Sequence, residues 1–219
     1  MKTLIIMPTY NEAENLSPLL QAIFSYAPLT DVLIVDDHST DGTGELADER
    51  HKTDVRVHVL HRAGKLGLGT AYLAGYKFAL AEGYDVAFEM DADFSHDPRY
   101  LPDFLRAIED ADVVIGSRYI VGGGTPNWSA LRRLISGSGN IFARLMLGIP
   151  IHDCTSGFRW YRRGVLESIE LDAVRSHGYA FQVELTYRVM MQRFQMVETP
   201  IVFMDRRCGK SKMSHSIIV

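Results

Sequence analysis

An α/β fold, a mostly parallel sheet with helices on both faces, is what this sequence predicts. Two observations carry that expectation. Short apolar runs alternate with stretches whose apolar residues recur at helical spacing, the pattern of strand–helix units. Clusters of polar residues then follow the apolar runs directly, as ligand-binding groups do at the strand ends of open α/β sheets.

The elements read in order. Residues 3–7 form a first short strand, stopped by Pro8. Residues 13–26 carry Leu16, Leu19, Leu20, Ile23 and Phe24 at helical spacing. Residues 31–35 are a second buried strand, and Asp41-Gly42-Thr43 opens a helix through His51. A third strand covers 55–60. The glycine-rich loop 64–69 follows and leads into a helix ending near Glu82. The fourth strand, 86–90, runs directly into Asp91-Ala92-Asp93. Pro98 stands near the start of a helix that reaches Ile108, and 113–116 is a fifth strand. Beyond Ser117 the pattern changes. Gly122-Gly123-Gly124 is a flexible loop, 128–149 a long helical stretch broken by Gly137 and Gly139, and 158–161 a short strand. Residues 181–194 are a helix and 196–203 a last strand.

Bulk properties bound the class. At 219 residues, 47% hydrophobic and 23% charged, the chain suits one globular domain over 1–219 with a substantial core. A net charge of −4 gives no overall case for nucleic acid. Two cysteines, Cys154 and Cys208, do not make a disulfide framework. The N-terminal apolar run is too short for a signal peptide, and no stretch approaches the roughly 20 apolar residues of a membrane span.

Asp91-Ala92-Asp93 is the strongest single signal. Two carboxylates so spaced at the end of a buried strand can share a hard divalent cation, and that cation can hold a diphosphate. The letters alone decide little, because Asp110-Ala111-Asp112 repeats them. That copy precedes a strand instead of following one. It reads as a solvated helix-to-strand turn, away from the strand ends where ligands bind. Other candidates fail on context. Gly209-Lys210-Ser211 lacks the leading glycine of a phosphate loop, Met204 standing in its place. Asp37 through Asp48 imitates a calcium loop, but a strand enters it. Five polar clusters at strand ends survive: Pro8 to Glu12, Asp36 to Ser39, Arg62 to Gly69, Asp91 to Ser95 and Ser117 to Tyr119. On a parallel sheet these share one rim.

The motifs Pro8-Thr-Tyr-Asn-Glu12, Val35-Asp-Asp-His-Ser-Thr-Asp-Gly42, Gly67-Leu-Gly-Thr-Ala71 and Asp91-Ala-Asp93 resemble family 2 glycosyltransferases with the GT-A fold. Ser95-His-Asp-Pro98, Gly116-Ser-Arg-Tyr119, Thr155-Ser-Gly-Phe-Arg159, Asp205-Arg206 and Ser211-Lys-Met-Ser214 narrow the resemblance to dolichyl- or polyprenyl-phosphate mannose synthases. By that resemblance, 1–117 is the nucleotide-sugar half and 118–219 the acceptor half, with a C-terminal truncation expected. Pro8, Tyr10, Glu12, Val35 and Asp37 would hold the nucleoside. Asp91, Ala92 and Asp93 would meet the diphosphate. The metal, Mg²⁺ or Mn²⁺, would sit on Asp91 and Asp93, with Ser95 where some members carry a glutamine ligand. Arg118, Arg206 and Lys212 match phosphate-handling positions and join Asp91 and Asp93 as the expected catalytic set. Arg206 and Lys212 also count with the nucleotide sugar. Arg118, Arg132 and Ser136 would take the phosphate of a lipid acceptor.

The implied reaction moves mannose from GDP-mannose to a polyprenyl phosphate with inversion, in a peripheral protein on the cytoplasmic face of a membrane. A phosphate acceptor is already largely dianionic at pH 7 and needs no general base. A UDP-sugar donor remains a second reading, because Asp37 suits either base. A metal-dependent phosphohydrolase is a third, from another class. The stretch 128–149 leaves two readings open: a helix packed on the sheet, or one lying at a lipid interface with Arg132, Arg133 and Arg144 toward anionic lipid.

Overall fold

The computed structural model describes residues 1–205, so Arg206 and Lys212 lie outside the described residues. Strands β1 (Thr3–Thr9), β2 (Thr30–Asp36), β3 (Val57–His61) and β4 (Val86–Glu89) alternate with helices α1 (Ala13–Tyr26), α2 (Thr43–Thr53) and α3 (Leu68–Ala81). A 3₁₀ turn at Pro98–Tyr100 runs into α4 (Leu101–Ala107), followed by β5 (Val113–Ser117) and α5 (Ala130–Leu147). Then come β6 (Arg159–Arg162), α6 (Arg163–Ser168), a second 3₁₀ turn, α7 (Tyr179–Met191) and β7 (Met196–Pro200). The strands form a single seven-stranded sheet in the order β3-β2-β1-β4-β6-β5-β7. All pairings are parallel except those of β6, which is antiparallel to both β4 and β5.

The continuous apolar runs have a simple cause. Side chains alternate across a strand, and both faces of this sheet are covered. Leu4 and Ile6 of β1 join one core with Leu33 and Val35 of β2, under α3, α6 and α7. Ile5 and Met7 join the other with Val32 and Ile34, under α1 and α4. A strand buried on both faces has no polar side to show.

Several expectations change. Pro8 does not stop β1, which continues to Thr9 in register with Asp36. The Thr9 carbonyl accepts from Asp37 N, so Thr9 faces β2 and Pro8 faces the β4 side, beyond the last pair, Ile6 with Glu89. The ladder with β4 ends there with the Met90 amide donating to the Ile6 carbonyl, so a residue without an N–H is tolerated. Gly137 and Gly139 do not break α5; each costs about 1 kcal/mol against alanine, which a long helix absorbs. Trp128 lies before α5 and is buried. The last strand ends at Pro200, with Val202 making only an isolated bridge to Gly124. Helix α6 has no counterpart in the sequence reading.

Close packing of α3 on β1 requires a glycine. A Cβ at Gly75 would run into the side chain of Ile6. Gly75→Ala is therefore expected to lower stability by about 1–3 kcal/mol through overpacking, despite alanine's better helix propensity. Urea unfolding measures it, and an unchanged midpoint would refute the close approach.

Candidate active site

The strand order β2-β1-β4-β6-β5 arranges the polar strand ends in sequence along one rim. At the β2 side the loops interlock. Thr9 Oγ1 donates to Asp36 Oδ1 at 3.1 Å, Asn11 N to Ser39 Oγ at 2.9 Å, and Thr40 N to Asn11 Oδ1 at 2.8 Å. Glu12 is buried, accepts from Asn15 Nδ2 at 2.7 Å, and its amide donates to Thr43 Oγ1. Asp37 pairs with Arg62 at 2.9 Å and accepts from Leu66 N at 3.1 Å. Burial pushes its carboxyl up, against the pull of Arg62 and the loop amides. Lys65, on the same loop, sits 4.7 Å over the ring of Tyr10. Val35 is wholly in the core, which leaves its main chain as the part that could meet a nucleoside.

At β4 the Asp pair is held from two sides. Tyr72, fully buried on α3 and stacked with Phe181, donates its hydroxyl to Asp91 Oδ1 at 2.9 Å. Burial first, then the neighbouring carboxylates, keeps that phenol well above its ordinary range and so a donor. The Asp91 amide donates to His96 Nδ1 at 3.0 Å. Burial pushes His96 down, consistent with a neutral ring accepting at Nδ1. The ring stacks on Phe158. Asp93 Oδ1 accepts from Ser95 N at 3.0 Å, and the buried Ser95 Oγ has no hydrogen-bond partner among the described residues. Among the described residues no three His, Cys, Asp or Glu side chains gather as a metal cage. Two carboxylates with an unpartnered hydroxyl beside them fit a hard cation whose remaining ligands are substrate oxygens and water.

Beyond β5, Arg118 has an acidic partner that the sequence reading did not foresee. Its guanidinium is buried against Asp153, with Nε to Oδ2 and Nη2 to Oδ1 both at 2.7 Å, and its amide donates to Oδ2 at 2.9 Å. Nη2 also reaches Thr155 Oγ1. Arg118 thus has Nε and Nη2 committed to Asp153 and Thr155. Arg132 is half-exposed, paired with Asp205 at 2.7 Å, its guanidinium 4.0 Å from the centre of the Trp128 ring. Ser136, one turn on, accepts from the Tyr119 hydroxyl at 2.7 Å. Asp110 and Asp112 sit at the opposite end of the sheet, where Asp112 accepts from Gln195 N. The sequence reading missed Tyr72, Asp153 and Trp128, and placed Arg62 at the rim without its partner Asp37. Only Tyr72 carried a signal, following Gly67-Leu-Gly-Thr-Ala71 directly.

Comparison with known proteins agrees with this architecture. The family model "Glycosyl transferase family 2" matches residues 4–170, and the chain belongs to that family. It is a glycosyltransferase with the GT-A fold, which sets aside the phosphohydrolase reading. It is 50% identical over 218 residues to undecaprenyl-phosphate mannosyltransferase of Micrococcus luteus, covering 100% of this chain and 90% of the relative. It is 51% identical over 219 residues to polyprenol monophosphomannose synthase of Mycolicibacterium smegmatis, covering 99% and 83%. Among solved structures, glucosyl-3-phosphoglycerate synthase from Mycobacterium tuberculosis with Mn²⁺ and UDP aligns at TM-score 0.68 and 18% identity, covering 96% of this chain and 72% of that one. A mannosyltransferase from Pyrobaculum calidifontis with GDP-Man and Mn²⁺ aligns at TM-score 0.62 and 16% identity, covering 94% and 56%.

Breaking the buried Arg118–Asp153 pair leaves a charge without compensation. Asp153→Asn is expected to destabilise the fold by about 3–5 kcal/mol. Chemical denaturation checks it; a loss below about 1 kcal/mol, the scale of an exposed pair, would contradict the burial.

Proposed function

We propose that this enzyme transfers mannose from GDP-mannose to the phosphate of a polyprenyl phosphate, with inversion, using Mg²⁺ or Mn²⁺ at Asp91 and Asp93. The observation that carries the reading is the likeness, over nearly the whole chain, to two relatives named for mannosyl transfer to polyprenyl phosphate. The neighbour bound to GDP-Man and Mn²⁺ supports the donor and the metal. Pro8, Tyr10, Glu12, Asp37 and the main chain of Val35 hold the nucleoside. Asp91, Ala92 and Asp93 face the diphosphate, with Ser95 beside the metal. Tyr72 and His96 orient Asp91. Arg132 and Ser136 receive the acceptor phosphate, and Arg118 fixes the loop behind them. Arg206 and Lys212, outside the described residues, keep the phosphate roles the resemblance implies.

The chemistry needs no base. A phosphate monoester loses its second proton at a pKa of about 6, so its oxygen attacks C1 of the sugar directly. That oxygen–C1 bond forms as the bond from C1 to the diphosphate breaks on the opposite side, and the electron pair leaves with GDP. The metal, when bound, offsets the charge gathering on that leaving group.

Helix α5 supports a peripheral membrane protein. Its one buried residue is Asn140, while Phe142 is 67% and Leu145 79% exposed, with Leu131, Leu134, Ile141 and Met146 also outward. This favours an interfacial helix over one packed on the sheet, with its apolar side outward and Arg132 turned in to Trp128 instead of toward lipid. Among the described residues no helix is long and apolar enough to cross a membrane.

Three measurements test the reading. With a panel of labelled nucleotide sugars, Mn²⁺ and a short polyprenyl phosphate, label should enter the extracted lipid from GDP-mannose. Label from a UDP-sugar instead would transfer the proposal to that donor, and a retained anomeric configuration would overturn inversion. Asp93→Asn should abolish transfer and Asp112→Asn leave it nearly intact; an active Asp93→Asn enzyme would remove the metal role. Phe142→Asp with Leu145→Asp should weaken binding to anionic vesicles at least about tenfold, and unchanged vesicle binding would remove α5 from the interface.

A further inference from the structure

Trp128 is only 7% exposed, yet its indole N–H has no hydrogen-bond partner among the described residues. A buried donor left unpaired is costly, and native folds rarely leave one without a reason. The surroundings supply a reason. The guanidinium carbon of Arg132 lies 4.0 Å from the ring centre and that of Arg118 lies 5.3 Å away. Trp128 is followed at once by Ser129, the N-cap of α5, whose Oγ accepts from Arg132 N. The positive end of an 18-residue helix therefore begins beside the same indole. Phe203 packs edgewise on Trp128, at 5.7 Å, and on His96, at 5.9 Å. One ring thus separates the indole from the loop of Asp91 and Asp93.

The two cations over this ring are not equivalent. Arg118 is buried with Asp153, and no incoming ligand exchanges that partner cheaply. Arg132 is paired with Asp205 where both side chains are exposed to water, and such a pair is weak. An arriving oxyanion can replace Asp205 on Arg132, beside the ring that carries the unpaired N–H and beside the helix terminus.

We propose that Trp128 is a substrate-contacting residue of the acceptor site: its Nε1–H donates to a phosphate oxygen of the acceptor, and its ring holds Arg132 against that phosphate. The proposal rests on the acceptor reading above.

Trp128→Phe keeps an aromatic ring beside Arg132 and removes the N–H. The KM for polyprenyl phosphate should rise about tenfold, the scale of a hydrogen bond to a charged group. The KM for GDP-mannose and the Tm should stay where they are. An unchanged acceptor KM overturns the proposal, and so does an equal rise in both KM values with a lowered Tm, which marks a merely structural tryptophan. Trp160 is the other of the two tryptophans, so Trp160→Phe makes emission report on Trp128 alone. A short-chain prenyl phosphate should shift that emission at concentrations where the uncharged prenol does not; equal responses, or none, overturn the contact. If the wild type glycosylates no polyprenyl phosphate, the functional reading fails, and the emission titration still decides whether Trp128 meets a phosphate.

Discussion

The guanidinium ion of Arg159, shielded from water, sits where β4, β6 and α7 meet, and both sides of the site depend on how it is satisfied. Nε and Nη2 donate to the carbonyls of Ser156 and Cys154, each at 2.5 Å. Nη1 reaches the Gln182 carbonyl at 3.1 Å and Thr186 Oγ1 at 2.6 Å. Glu89, its register partner on β4, accepts from Tyr76 and from Gln182 Nε2. Burial pushes the Glu89 carboxyl up to about 7, against the pull of Arg159. A charge this deep persists only when its donors find acceptors; two of these are main-chain carbonyls of the segment leading into β6 and two lie on α7. The segment is thereby fixed. It supplies Asp153 and Thr155 to Arg118, and Phe158 to His96. An antiparallel strand inserted in a parallel sheet is thus what joins the Asp91 loop to the region beyond β5.

Rigid and exchangeable pairs are distributed accordingly. Asp153 on Arg118 and Arg159 on its carbonyls are buried, and Tyr72 is a buried donor to a partly exposed Asp91. Arg132 with Asp205 is exposed at both ends. Groups that must keep their position across a reaction belong to the first kind, because preorganised dipoles act without reorganisation cost. A group that must accept and release a substrate anion belongs to the second. On the proposed reading, the donor side and the floor of the acceptor side are fixed, and Arg132 is the cation that changes partner.

Much of this was legible in the sequence, and the reasons divide cleanly. Strands β1, β2, β4 and β5 announced themselves because burial on both faces leaves uninterrupted apolar runs. The location of Asp91 and Asp93 followed from strand polarity, which also demoted Asp110 and Asp112. What stayed hidden depends on distant pairing. Nothing local says that Asp153 will neutralise Arg118, or that Arg62 will sit on Asp37; the partners meet only through the strand order. The direction of β6 was equally invisible, since a short run such as Arg159–Arg162 reads alike in either sense. Trp128 escaped because a buried indole in a loop has no periodicity to betray it.

Helix α5 exposes the limit of periodicity most sharply. An apolar stripe fixes which residues share a face, but not whether that face meets protein or lipid. Here the polar stripe, Arg132, Ser136 and Asn140 at successive i+4 positions, turns toward Tyr119, Trp128 and Thr155. The apolar side turns out. The inversion has a functional logic on the proposed reading. An 18-residue helix is about 27 Å long, and lying flat it would sink its apolar face only to the depth of the headgroups. The phosphate of a membrane-borne acceptor travels at that depth. A single helix that buries its outer face in lipid and carries Arg132 and Ser136 on its inner face would bring that phosphate to the rim while its chain stays in the bilayer. A helix packed conventionally, apolar side inward, could offer the cations or the lipid contact, but not both at one height.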